Sequence, residues 1–102
     1  MSWYKVASTN DIPEGQMVQV MVEDEPIAVY HTPEGFYATS DICTHASQSL
    51  TLGKLTDCIV ACPKHGGKFD VRSGEAVAMP CVMAVETYPI DIRGADIYIE
   101  FE

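Results

Sequence analysis

Positive charge is scarce in this 102-residue chain: six lysines and arginines stand against fifteen acids, for a net charge of −9 and an isoelectric point near 4.5. Nothing here could neutralise a run of phosphates, so nucleic acid is excluded as a partner class. Long apolar runs are missing too, and none approaches the ~20 residues that a bilayer crossing needs. The first residues, Met1-Ser2-Trp3-Tyr4-Lys5, contain neither a secretory leader nor a twin-arginine signal, so a cytoplasmic protein is expected. Helical periodicity is absent as well: no window longer than about ten residues carries it without an interrupting proline or glycine. A chain of this size is one domain and buries only about 60–65% of the surface it exposes when unfolded, so its core is thin.

What is present is a succession of short strands. Val18, Val20 and Val22 alternate with Met17, Gln19, Met21 and Glu23, a period of two. Ile27 and Val29 continue it after the polar turn Glu23-Asp24-Glu25-Pro26, which predicts a hairpin. Thr32-Pro33-Glu34-Gly35 is a second turn, followed by Phe36-Tyr37-Ala38-Thr39. Further on, Lys68–Val71 and Val82–Val85 are extended candidates, and Ile90–Ile92 and Ile97–Phe101 flank the turn Arg93-Gly94-Ala95-Asp96. The expected fold is all-β, an antiparallel sandwich or small barrel.

One stretch interrupts this pattern. Cys43-Thr44-His45 is followed by sixteen residues and then by Cys62-Pro63-Lys64-His65. Two thiolates and two imidazoles, a cysteine and a histidine in each of two turn-rich segments, can close a four-ligand metal site. Between them Lys54–Ala61 reads as two short strands that lead into the second segment. The set Cys43, His45, Cys62 and His65 is therefore the candidate metal site. Residues 43–69 are expected to form a small lobe on a base made of residues 1–42 and 70–102.

The pattern C-x-H, about sixteen residues, C-x-x-H resembles the Rieske family, in which two cysteines hold one iron of a [2Fe–2S] cluster and two histidines the other. His65-Gly66-Gly67-Lys68-Phe69-Asp70 is similar to the family's H-G-x-x-F-D run, Gly74 with Pro80 to its glycine and proline loop, and Asp11-Ile12-Pro13-Glu14-Gly15 to a turn of its small ferredoxins. The resemblance implies a Rieske-like β base with an inserted cluster-binding lobe. It also implies one [2Fe–2S] cluster on Cys43, His45, Cys62 and His65, with the outer edges of the two imidazoles as the electron's way in and out. Two ferric ions, two sulfides and two thiolates cancel in charge, whereas an all-cysteine cluster would be two units more negative. Histidine ligation therefore makes reduction easier.

Departures from the family's high-potential members set a further expectation. Gln48 and Lys64 stand where those proteins carry a disulfide, and Gly67 stands where they carry a serine hydroxyl near sulfur. Fewer hydrogen bonds to sulfur predict a midpoint near the low end of the roughly −150 to +300 mV Rieske range. Cys58 and Cys81 are read as small buried hydrophobes, and His31, which has no partner at ligand spacing, as an ordinary strand residue. Lys54, Lys64, Lys68 and Arg72 lie in or beside the ligand segment while most acids lie elsewhere. This asymmetry is expected either to be ordinary solvated charge or to steer partners to the cluster tip, in which case association rates depend on salt.

The function that the resemblance implies is one-electron transfer without catalysis. The carrier is expected to be a monomer that takes electrons from a flavin-containing, NAD(P)H-dependent ferredoxin reductase. It would pass them to a terminal Rieske non-heme iron oxygenase that hydroxylates aromatic compounds, both contacts being transient. The oxygenase's own mononuclear iron site needs histidines that these residues do not supply. Two alternatives stay open from the sequence: the small Rieske-like subunit of a nitrite reductase, and a binding module stabilised by zinc on the same Cys2His2 set.

Overall fold

The structure is a computed structural model and describes residues 2–44, 48–63, 66–79 and 83–101. His45, Lys64, His65, Pro80, Cys81 and Val82 therefore lie outside the described residues. In chain order the elements are β1 (Ser2–Ser8), a 3-10 turn (Thr9–Asp11), β2 (Met17–Val22), β3 (Glu25–Thr32), β4 (Gly35–Ser40) and a second 3-10 turn (Leu50–Leu52). There follow β5 (Lys54–Thr56), β6 (Ile59–Ala61), β7 (Lys68–Asp70), β8 (Ala76–Ala78), β9 (Thr87–Tyr88), β10 (Ile90–Arg93) and β11 (Asp96–Phe101). They make three antiparallel sheets, β1-β11-β10, β2-β3-β4-β9 and β5-β6-β7-β8. Among the described residues there is no α-helix, as the absence of helical periodicity requires.

The first hairpin is tighter than its sequence suggests. Only Glu23 and Asp24 form the turn, both at positive φ (48° and 70°), a two-residue connection whose twist suits the flanking strands. Glu25 and Pro26 belong to β3, opposite Val22 and Met21, and Pro26 is tolerated near the strand's start. The closing hairpin β10–β11 pairs Arg93 with Asp96 across Gly94-Ala95.

β3 organises the whole molecule. Ile27, Ala28, Val29 and Tyr30 are all buried, so both faces of this strand are covered. Ile27 and Val29 point into a core with Ile12, Val22, Ala38, Ile97 and Ile99, closed by the first two sheets. Ala28 and Tyr30 point the other way, into a core with Leu50, Val60, Phe69, Val71, Val85 and three cysteines, under the third sheet. The Tyr30 hydroxyl is buried but satisfied, 2.8 Å from Thr39 Oγ1, and burial pushes its pKa well above the usual phenol range. The Asp11–Gly15 turn plugs the end of the base. Ile12 is fully buried, its carbonyl lies 2.7 Å from His31 Nδ1, and the Gly15 N–H donates to the His31 carbonyl.

One expectation fails. Of the proposed extended run 82–85, the described residues Met83, Ala84 and Val85 form no strand. The Val85 N–H donates to the Gly74 carbonyl instead, and pairing with β4 begins only at Thr87, opposite Thr39.

Candidate metal centre

The two ligand segments are the tips of two hairpins of the same size. The first is flanked by the pair Ile42 and Ser49, the second by Ala61 and Lys68 at the ends of β6 and β7. In each, the N–H of the leading cysteine donates across the loop to the carbonyl five residues on: Cys43 to Gln48 at 2.8 Å and Cys62 to Gly67 at 2.7 Å. Two equal six-residue loops thus begin on a cysteine and close on the same backbone bond. Cys43 (1% exposed) and Cys62 (3%) both belong to the core under the third sheet, so the structure places these two predicted ligands in one buried group. The other two, His45 and His65, lie outside the described residues. Gly66, at φ +72°, supplies the left-handed turn that the second loop needs.

A carboxylate with no ligand role in the sequence pattern holds the first hairpin in place. Asp41 is fully buried and accepts from Gln19 Nε2 on β2 at 2.6 Å, from the Ser49 hydroxyl, and from the Thr51 N–H at 2.9 Å. The Thr51 hydroxyl lies at 3.2 Å. The Asp41 N–H donates to the Pro26 carbonyl, and the Asp41 carbonyl accepts from the Leu50 N–H. Both sides of the loop and the base sheet therefore meet at one side chain. A signal for it does exist in the sequence: an acid two residues before a ligand cysteine, followed by the hydroxyl residues Ser49 and Thr51.

A third loop approaches from the far side. The Thr44 hydroxyl donates to the Met83 carbonyl at 3.0 Å. Gly74 anchors that loop: its φ is +80°, and a Cβ there would lie 2.1 Å from the Val85 carbonyl oxygen. Gly74 is therefore more than a turn former, because the returning chain fits against it only without a side chain.

The charges around the site are used unequally. Arg72 binds Asp70 (2.8 Å) and Glu34 (2.9 Å), tying the end of β7 to the β3–β4 turn. This pairing holds the Asp70 carboxyl below the usual carboxylate range. Of the four cations expected to mark the tip, Arg72 is thus neutralised locally. Lys54 and Lys68 make no ion pair among the described residues and stand exposed on the third sheet, one on each side of Ala61. Cys58 is buried in the lobe core, as its reading as a small hydrophobe expects. His31 stacks on Phe36 with ring centroids 4.0 Å apart, an ordinary strand residue.

Two cysteine-headed hairpins on an all-β base define an iron–sulfur module of the two-loop kind. Residues 2–89 match the Rieske [2Fe-2S] domain, and the chain belongs to that family. The ferredoxin component of the naphthalene 1,2-dioxygenase/salicylate 5-hydroxylase systems of Ralstonia sp. is 36% identical over 101 residues, 99% of this chain and 97% of that protein. The ferredoxin of carbazole 1,9a-dioxygenase from Nocardioides aromaticivorans IC177 superposes with a TM-score of 0.95 at 29% identity, covering all of both chains. The ferredoxin in a complex of reduced oxygenase and oxidised ferredoxin of carbazole 1,9a-dioxygenase gives 0.90 at 33%, covering 98% of this chain and 97% of that one.

The family's cofactor is a Rieske-type [2Fe–2S] cluster, and the described residues fit it. Two soft donors, each opening one of the matched loops, are buried in one largely apolar core group.

Proposed function

We propose that this protein is a one-electron carrier, the ferredoxin component of a multicomponent system that hydroxylates aromatic compounds, and not itself a catalyst. The observation that carries this reading is full-length similarity to ferredoxin components together with the paired cysteine hairpins. Cys43 and Cys62 hold one iron and His45 and His65 the other, all on a lobe over residues 43–69 whose sheet also takes in β8. When bound, the cluster supplies reversible one-electron chemistry in the Rieske range of potentials. The chain's own part is to bury the thiolates, close each loop on its cysteine N–H, and leave the histidine side of the centre for electron exit. Electrons arrive from a flavin-containing, NAD(P)H-dependent ferredoxin reductase and leave to a terminal Rieske non-heme iron oxygenase. Both contacts are transient, and the carrier works as a cytoplasmic monomer.

An anaerobic redox titration of the purified protein, followed by visible absorbance and electron paramagnetic resonance, tests this. The expected result is one reversible one-electron step near the low end of roughly −150 to +300 mV, with reduction by a ferredoxin reductase at the expense of NAD(P)H. A colourless protein that carries zinc and shows no redox step would overturn it.

A further inference from the structure

The fold hides a full negative charge beside the ligand loops. Asp41 is 0% exposed and lies two residues from Cys43. Gln19, Ser49 and Thr51 all donate to it, so both carboxylate oxygens serve as acceptors. All of these donors are neutral. Among the described residues no lysine, arginine or histidine pairs with it. Asp41 borders the lobe core: burial chiefly, and the nearby Asp41 carboxylate in the same direction, raise the pKa of Tyr30, a member of the same buried group as Cys43 and Cys62. A fixed charge in a poorly screened interior acts on any nearby change of charge far more strongly than one in water does.

We propose that Asp41 is a positioning residue that also acts electrostatically. Its buried, uncompensated carboxylate locks the first ligand hairpin to β2 and holds down the reduction potential of the centre on Cys43. An incoming electron adds negative charge next to negative charge, so the oxidised state is favoured. This rests on the reading that Cys43 binds the cluster.

The geometry offers a variant that removes the net charge while keeping the carboxylate's bonds to the loop. Gln19 is exposed and reaches Asp41 through its amide, so Gln19→Lys brings an ammonium to the carboxylate and leaves Ser49 and Thr51 in place. Ile92→Lys adds the same charge at an exposed position of β10, a strand that gives no hydrogen bond to Asp41, and serves as control. Asp41→Asn removes the charge outright.

The measurement is the midpoint potential of each holoprotein, with its visible and paramagnetic resonance spectra. At a fixed potential Gln19→Lys is expected to shift the oxidised-to-reduced ratio at least threefold towards reduced. That is a rise of about 28 mV at 59 mV per decade for one electron. Asp41→Asn, where it folds, rises by as much or more, and Ile92→Lys stays with the wild type. A Gln19→Lys protein that carries the cluster at the wild-type potential overturns the proposal whatever Asp41→Asn does. An equal rise in Ile92→Lys also overturns it, since the effect would then be general surface charge. Wild-type protein without cluster signals would sink the cluster reading and this inference together.

Discussion

The buried group behind the base sheets is aliphatic throughout, from Ile12 to Ile99, and its main strands β1 to β4 and β11 run for six to eight residues. The group under the ligand hairpins counts three cysteines among its ten members, and each of its four strands is three residues long. The first region closes by burying hydrocarbon, the dominant favourable term in folding. The second has short ladders, two loops that begin on thiols, and a third loop held against Gly74. The base thus closes on its own buried hydrocarbon, while under the proposed ligand set the cofactor's bonds would complete the lobe by cross-linking two hairpins far apart in sequence.

The sharpest way to break this contrast is Cys62→Ala. It should abolish the visible cluster spectrum and cost amide-exchange protection in β5 to β8, while β2, β3 and β11 stay protected. Equal loss of protection in both regions would refute the division. The converse variant is Ile99→Ala, fully buried in the base core. It should cost about 2–5 kcal/mol of global stability in denaturant unfolding but leave the cluster's spectrum unchanged in the folded protein. A bleached spectrum under native conditions would mean that the two cores are not separable.

The smallest effect concerns the clamp between the regions. Arg72→Ala should lower the melting temperature modestly near neutral pH, because exposed ion pairs contribute little. The folded-state pKa of Asp70 lies below its ordinary value near 3.8. Its contribution is therefore present above that value and is lost as pH falls through the lowered one. The gap in melting temperature between wild type and variant should close in acid, and a gap constant down to about pH 2.5 would show that the charge pairing is not its source.

Much of this was legible from residue types. The all-β class followed from period-two alternation and the lack of helical windows, and the two segments headed by Cys43 and Cys62 stood out by their spacing. What escaped was set by partners distant in sequence. β1 gives a weak alternation signal because its register slips between Lys5 and Ala7 against β11. β8 is only Ala76-Val77-Ala78 and exists by pairing with β7. The extended look of residues 82–85 misled because the Val85 N–H is taken by Gly74 rather than by a strand. Asp41 escaped because an acid in sequence reads as surface: its position before Cys43 and the hydroxyls of Ser49 and Thr51 are a local hint, but only the fold brings Gln19 to it.

β3 also has a consequence for how the protein tolerates change. Its residues 27 to 30 alternate between two interiors, so neighbouring positions should fail in different ways when every substitution is sampled. Disruptive changes at Ile27 and Val29 should remove protein from the soluble fraction. Those at Ala28 and Tyr30 should leave protein in solution but pale, with its iron content lowered or lost. Four consecutive residues would then sort by colour against abundance, with the phenotype switching at every step along the strand.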